Sequence, residues 1–97
     1  YTSGVIPVDP ATGNIAEGVE AQAEQAFKNL CNLVGESGSK VENIIKTTVF
    51  IKEMNDFGTI NEIYKKYFKE PFPARSCVEV ARLPKDVLLE VEAIAFK

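Results

Sequence analysis

The centre of the chain carries a run of alternating apolar and polar residues, Ile44-Ile45-Lys46-Thr47-Thr48-Val49-Phe50-Ile51-Lys52. Side chains along a β-strand point alternately to the two faces of a sheet, so every second residue shares a face. One set of side chains is then buried, and the other set, Lys46, Thr48 and Lys52, lies on the opposite face. The run therefore predicts a strand over Ile44–Lys52 whose inner residues are Ile45, Thr47, Val49 and Ile51.

The residues before this strand follow a helical period. Apolar side chains recur at intervals of three and four residues, which places them on one face of an α-helix. Gly35 and Gly38 end the pattern. Cys31 follows Phe27 by one turn, so we expect it to be a small core residue. The predicted apolar face of this first helix comprises Val19, Ala23, Ala26, Phe27, Leu30 and Val34.

A second helical pattern follows the strand. Asn55 or Asp56 can cap its start, and Pro71 and Pro73 prevent its continuation. Asn61 lies within the apolar stripe of this helix, where a buried amide needs hydrogen-bond partners. A bond to nearby backbone is the favoured interpretation, and a contact with a ligand is the alternative. The apolar stripe itself comprises Phe57, Ile60, Tyr64, Tyr67 and Phe68.

Two further β-rich runs, Ser76–Leu83 and Val87–Phe96, are separated by the turn-forming residues Pro84-Lys85-Asp86. This arrangement predicts a hairpin. Its register follows from alignment of the apolar residues, because a slip of one residue would move every side chain to the other face. The buried face would then comprise Val78, Val80, Val87, Leu89 and Val91. The opposite face would comprise Arg75, Cys77, Glu79, Ala81, Glu90, Glu92, Ile94 and Phe96.

That second face combines apolar side chains with an arginine and several glutamates, which suits neither solvent nor a core. A sheet face that packs on other copies of the chain, with a polar pocket at the contact, accounts for both features. A further strand is predicted over Tyr1–Val8. The order of elements predicts a single α+β domain over residues 1–97, with two helices on one face of the sheet.

The composition excludes several classes of function. The 97 residues contain no histidine, which removes histidine general bases, Ser-His and Cys-His nucleophile pairs, and histidine-ligated zinc. Cys31 and Cys77 lack the spacing of metal ligands, so we expect no metal, two reduced thiols and a cytoplasmic location. A net charge of −3 disfavours nucleic-acid binding. No apolar run approaches the roughly 18 residues of a membrane-spanning helix.

An arginine, carboxylates, a thiol and tyrosines remain as groups that can bind a small carboxylic acid and manage a water molecule. Arg75 follows the stiff segment Pro71-Phe72-Pro73-Ala74, which fixes the start of its strand. Its planar guanidinium matches a carboxylate through two parallel hydrogen bonds. Glu90 is the candidate for handling a water molecule. An equally weighted alternative is that Arg75 only neutralises Glu79, Glu90 or Glu92.

Several motifs resemble those of the RidA/YjgF family, also called the endoribonuclease L-PSP family, over nearly the whole chain. The most specific are Pro71-Phe72-Pro73-Ala74-Arg75-Ser76-Cys77-Val78-Glu79-Val80-Ala81-Arg82-Leu83-Pro84 and Glu90-Val91-Glu92-Ala93-Ile94-Ala95. Others are Tyr1-Thr2-Ser3-Gly4, Asp9-Pro10-Ala11-Thr12-Gly13 and Asn61-Glu62-Ile63-Tyr64. The resemblance implies a chorismate-mutase-like fold, a homotrimer with a central barrel, and active-site clefts between subunits.

The resemblance also implies 2-iminobutanoate/2-iminopropanoate deaminase activity. This reaction hydrolyses reactive 2-imino and 2-enamino acids, such as 2-aminoacrylate, to 2-keto acids and ammonia, and it needs no cofactor. By position, Arg75 resembles the family's carboxylate-binding arginine, and Glu90 resembles the glutamate that orients the water. Cys77 resembles a pocket-lining cysteine whose backbone can also hold that water. These three are the expected catalytic residues, and substrate binding is expected to involve Arg75, Cys77, Ser3, Gly4 and Asn61.

The resemblance carries two differences and two alternatives. The family's segment with a Gly-Pro-Tyr motif, which supplies a cleft tyrosine, is expected before Tyr1 and is therefore expected to be missing here. Val5 stands where many members carry glutamine. The first alternative function is a non-catalytic trimeric module that binds small carboxylates. The second is a translation inhibitor with ribonuclease activity, which the acidic composition disfavours.

Overall fold

Five main elements follow one another in the computed structural model, which describes residues 1–97. Short 3-10 turns precede the first strand, the second helix and the last strand. Both helices and the first of these strands lie where the sequence predicts them. The elements are α1 (Val19–Glu36), β1 (Ile44–Ile51), α2 (Phe57–Tyr67), β2 (Ala74–Glu79) and β3 (Leu89–Ala95).

The sheet is mixed, and β1 is its central strand. β2 pairs with β1 in parallel, whereas β3 pairs with it antiparallel on the other side. A parallel pair needs a long crossover connection, and α2 supplies it. α1 packs on both α2 and β3, so the two helices cover one face of the sheet. This confirms the predicted α+β class with two helices on one face of a mixed sheet.

The core lies between the helices and that face of the sheet. The predicted apolar face of α1 is buried apart from its first residue, Val19, and Cys31 is only half-buried rather than a core residue. Burial raises the pKa of the Cys31 thiol, and the nearby charge of Glu42 raises it further. Neither α1 nor α2 combines the length and the apolar composition that a membrane-spanning helix requires.

The predicted hairpin between the last two β-runs is wrong, because β2 and β3 lie on opposite sides of β1. The connection over residues 80–88 passes the end of β1, where the Val80 N–H donates to the Ile51 carbonyl over 2.9 Å. On the other side, the Lys52 N–H donates to the Leu88 carbonyl over 3.0 Å. Alternation along a strand identifies its two faces but not its neighbour, so both arrangements satisfy the same sequence pattern.

The predicted register of β2 is wrong as well. β2 pairs Arg75 with Thr47 and Cys77 with Val49, so both side chains lie on the face covered by the helices. Val78, predicted to be buried, is 43% exposed on the other side. The glutamates of β3 do lie on that uncovered side, as predicted. We call it the open face; it comprises Lys46, Thr48, Phe50, Ser76, Val78, Glu90, Glu92 and Ile94.

Two further expectations for strand residues need correction. The alternation predicts Ile45 on the inner face, but an irregularity between Ile44 and Lys46 shifts the register and leaves it 53% exposed. The segment Tyr1–Val8 forms only isolated bridges, one of which joins Val5 to Val91 of β3. Proline has no N–H to donate to a strand ladder, so Pro7 prevents longer pairing. The segment nevertheless lies along β3, which brings residues 2–5 beside the open face.

Candidate active site

Arg75 lies near the start of β2, on the side of the sheet that α2 covers. Its Nη1 donates a hydrogen bond of 2.6 Å to the Asn61 Oδ1 on α2. Its Cζ lies 4.7 Å from the ring centroid of Tyr64 and 5.2 Å from that of Phe57. Distances of this size are typical of cation–π contacts. One amide and two aromatic rings of α2 therefore fix the position of the guanidinium.

The same contacts correct the expectation for Asn61. Its side-chain oxygen binds the Arg75 side chain and not nearby backbone. The position of Asn61 within an apolar stripe made a polar partner necessary, but that partner lies on a strand far along the sequence. Asn61 is thereby brought into contact with the predicted carboxylate-binding residue.

Arg75 has no acidic partner within the chain. The guanidinium is half-buried, and its bond to Asn61 uses one of its five N–H donors. The Glu79 carboxylate instead accepts a hydrogen bond of 2.7 Å from the Met54 N–H. The alternative that Arg75 serves only to neutralise a glutamate is therefore wrong within this chain. The ion pairs of the chain are Lys65–Glu62, Lys66–Glu24 and Arg82–Asp86.

Cys77 lies two residues beyond Arg75 on the same side of β2. It is half-buried and packs against the core. Burial raises the pKa of the Cys77 thiol, and the charge of Arg75 counteracts this only in part. The thiol is therefore neutral near pH 7, which suits a residue that lines a pocket better than a nucleophile. No group of three or more metal-ligating side chains occurs in the chain.

Glu90 lies on the open face, where it is the β3 partner of Phe50. Residues 2–5 run beside it, held by the Thr2 N–H bond to the Ala93 carbonyl and the Val5 N–H bond to the Val91 carbonyl. This places Gly4 directly against the Glu90 carboxylate, with Ser3 exposed next to it. A side chain on Gly4 would occupy the space that the carboxylate fills.

The expected site residues thus form two groups in one chain. Arg75, Asn61 and Cys77 lie together between β2 and α2, whereas Glu90 and Gly4 lie together at the open face. The sheet separates the two groups, because Arg75 and Glu90 project from opposite faces. Within a single copy, the guanidinium and the carboxylate therefore do not meet.

A family model described as Endoribonuclease L-PSP matches residues 1–97. The chain belongs to this family. A family member from Salmonella typhimurium, named 2-iminobutanoate/2-iminopropanoate deaminase, is 59% identical over 99% of this chain and 77% of its own length. The resemblance noted in the sequence is therefore confirmed.

Solved structures of family members show the same fold. Escherichia coli TdcF with bound serine is 55% identical, covers 99% of this chain and 78% of its own, and superposes with a TM-score of 0.94. The YjgF gene product of Escherichia coli is 56% identical, covers 97% of this chain and 76% of its own, and gives a TM-score of 0.92.

Sequence reasoning missed the residues that support Arg75 in this family member. Phe57 and Tyr64 precede and follow Asn61 by four and three positions, so the helical period already places all three on one side of α2. The same period also predicts a buried apolar stripe, and it does not distinguish core packing from support of a site residue. The contribution of Thr47, which lies beside Arg75 and bonds to Tyr64, depends on the pairing of β1 with β2. No local pattern contains that information.

The contact between Gly4 and Glu90 gives a first prediction. Gly4→Ala should lower kcat/KM for imine hydrolysis roughly 10-fold to 100-fold, because it would displace Glu90, the residue expected to orient the water, by about an ångström. The new methyl group displaces the flexible end of a side chain and no backbone. The thermal unfolding midpoint should therefore stay within a few degrees of the wild-type value.

Gly35→Ala is the matched control, because nothing lies within 4 Å of the methyl group that it would add. It should leave the rate near the wild-type value and, because alanine is favoured over glycine within helix α1, raise the unfolding midpoint by a few degrees. If the two alanine variants are equally active in the same assay, the space at Gly4 has no role in placing Glu90.

Proposed function

We propose that this chain is an enzyme that hydrolyses reactive 2-imino and 2-enamino acids to 2-keto acids and ammonia. The observation that carries the proposal is the Arg75 guanidinium, which is half-buried, oriented by Asn61 and free of any acidic partner in the chain. A half-buried cation without an acidic partner favours an anionic ligand, and a planar carboxylate fits its N–H donors. The relative of 59% identity carries the name of this activity.

The chemistry needs an anchored substrate, a water molecule and a group that takes a proton. Arg75 binds the substrate carboxylate, and Cys77 lines the pocket beside it. Glu90 accepts a proton from water while the water oxygen forms a bond to the imine carbon. The C=N π electron pair moves to nitrogen, which takes the proton back from Glu90 to give a carbinolamine. Glu90 then removes the proton of the new hydroxyl group and passes it to nitrogen, the C–N bond breaks with its electron pair moving to nitrogen, and ammonia leaves as the carbonyl forms. An imino acid and one water thus give one keto acid and one ammonia.

The position of these groups on opposite faces of the sheet favours a site completed by a second copy. The outer edge of β2, where Arg75 and Cys77 lie, pairs with no strand of its own chain. The open face carries Glu90 together with exposed apolar side chains such as Val78. We therefore place the cleft between the β2 edge of one subunit and the open face of the next, in a chorismate-mutase-like homotrimer.

Sedimentation at micromolar concentration tests this assembly. We expect a mass near three times the 10.7 kDa of one chain. Val78→Lys, which places a charge on the open face, should shift the mass towards that of one chain and lower the activity in parallel. A wild-type mass of one chain with full activity would contradict the shared site.

The activity is tested with an imine made in the same cuvette. A pyridoxal-phosphate dehydratase acting on serine releases 2-aminoacrylate, and lactate dehydrogenase reports the pyruvate formed from it. We expect the chain, with no added metal or cofactor, to accelerate pyruvate formation and to reduce trapping of the imine by semicarbazide. A rate equal to that with heat-denatured chain would contradict the deaminase and favour a module that only binds small carboxylates.

A further inference from the structure

Tyr64 is a buried polar side chain with no direct part in the proposed reaction. Only 3% of it is exposed, and Thr47 beneath it is fully buried. The two hydroxyl oxygens lie 2.8 Å apart, so one hydroxyl donates to the other. A buried hydroxyl without a partner costs free energy, and phenylalanine would fill the same volume without that requirement. The pair therefore calls for an explanation other than packing.

The register of the sheet brings this pair to Arg75. Thr47 is the β1 partner of Arg75 in β2, so both residues project towards α2 side by side. Tyr64 extends down from α2 to meet them. Its hydroxyl reaches Thr47, and its ring lies against the guanidinium of Arg75, 4.7 Å from Cζ to the ring centroid. One side chain thus joins the core of the sheet to the expected carboxylate-binding group.

The Tyr64 ring is itself fixed in place. Phe27 contacts it edge-on, with 5.5 Å between centroids and an interplanar angle of 83°. Phe68 lies against it at 4.3 Å. These two rings restrain Tyr64 on the side of the helices. The bond to Thr47 then sets where the ring lies relative to β1 and β2.

We infer that Tyr64, anchored by Thr47, is a positioning residue that holds the Arg75 guanidinium with an N–H edge presented to a planar carboxylate. The aromatic ring packs against the guanidinium, and the Asn61 side-chain oxygen accepts a hydrogen bond from one of its N–H groups. An arginine that is held before binding loses less side-chain freedom when the ligand arrives. The inference rests on the proposed function for the identity of the ligand, and it adds the device that orients the binding group.

Tyr64→Phe tests the device, because it keeps the ring and removes the anchoring hydroxyl. We expect KM for the imine, and Kd for 2-oxobutanoate measured by calorimetry, to rise roughly threefold to tenfold, the range that one neutral hydrogen bond supplies. The value of kcat should stay within about twofold, since binding is weakened without loss of the proton acceptor. In an Arg75→Lys background the same change should have no further effect, because an ammonium has no plane to orient.

A second variant controls for destabilisation of the fold by an unpaired buried hydroxyl. Tyr64→Phe leaves the Thr47 hydroxyl buried without a partner, so the double variant Thr47→Val with Tyr64→Phe removes both hydroxyls together. It should show the same rise in KM and Kd. An equal rise in the Arg75 and Arg75→Lys backgrounds would mean that Tyr64 acts only on stability, and would overturn the inference.

The outcomes separate this inference from the proposed function. In an active deaminase, an effect of Tyr64→Phe on KM that is the same with Arg75 and with lysine at position 75 would overturn the positioning role alone. If Tyr64→Phe raises Kd for 2-oxobutanoate only when Arg75 is present, but the chain has no deaminase activity, the proposed reaction alone would be overturned. Failure of the wild-type chain to bind 2-oxobutanoate would overturn the carboxylate role of Arg75, and the positioning role with it.

Discussion

Arg75→Lys is expected to lower kcat/KM for imine hydrolysis by at least about tenfold while the chain keeps its fold and its sedimentation mass. Lysine keeps the positive charge but loses the planar fork that binds both oxygens of a carboxylate. It also loses the Nη1 group, which donates a hydrogen bond of 2.6 Å to the Asn61 Oδ1. A charge-assisted bidentate contact contributes about 1.5–3 kcal/mol, which corresponds to the expected loss. The lactate-dehydrogenase-coupled assay measures it.

Arg82→Lys is the matched control for this change. Arg82 is an exposed arginine whose Nε lies 2.9 Å from an Asp86 carboxylate oxygen. Exposed ion pairs of this kind contribute little to stability, so the variant should be nearly silent. Equal behaviour of the two lysine variants would mean that Arg75 does not bind the substrate carboxylate.

The parts of the fold that sequence predicts well are those that local periodicity determines. The stripes of α1 and α2 follow from contacts within one helix, and both helices form where predicted. The hairpin of the last two β-runs required knowledge of which strands pair, and that choice depends on distant residues. The run 44–51 is the central strand because β2 pairs with one of its edges and β3 pairs with the other. Nothing in the alternation of β2 or β3 indicates that each strand pairs with β1 and not with the other.

The same limit applies to the candidate site. Arg75, Glu90 and Asn61 are identified from family motifs, but the face on which each lies depends on strand register. The incorrect hairpin placed Arg75 and Glu90 on one face, whereas the observed pairing separates them. The support of Arg75 by Tyr64 also depends on the parallel pairing that places Thr47 beside it. Motifs therefore identify the candidate site residues, and the topology decides which of them share a pocket.

Glu90→Gln is expected to lower kcat roughly 100-fold or more and to leave KM within about threefold. The amide of glutamine has the size of the carboxylate and can still hold a water molecule, but it cannot accept the proton that the water must lose. Glu90 takes part in none of the ion pairs of the chain, so its replacement leaves no partner charge unpaired. Substrate binding through Arg75 is unaffected, which is why the loss should appear in kcat.

Glu92→Gln is the control that distinguishes proton acceptance by Glu90 from an effect of the negative charge of the open face. Glu92 lies on the same open face, two residues along β3, where it pairs with Thr48. Its replacement changes the net charge by the same amount but leaves Glu90 beside Gly4, so kcat should remain near the wild-type value. If both glutamine variants lose activity equally, the negative charge of the open face is what matters and Glu90 is not the proton acceptor. If neither loses activity, another group must take the proton from water, and the role of Glu90 in the cleft has to be abandoned while that of Arg75 stands.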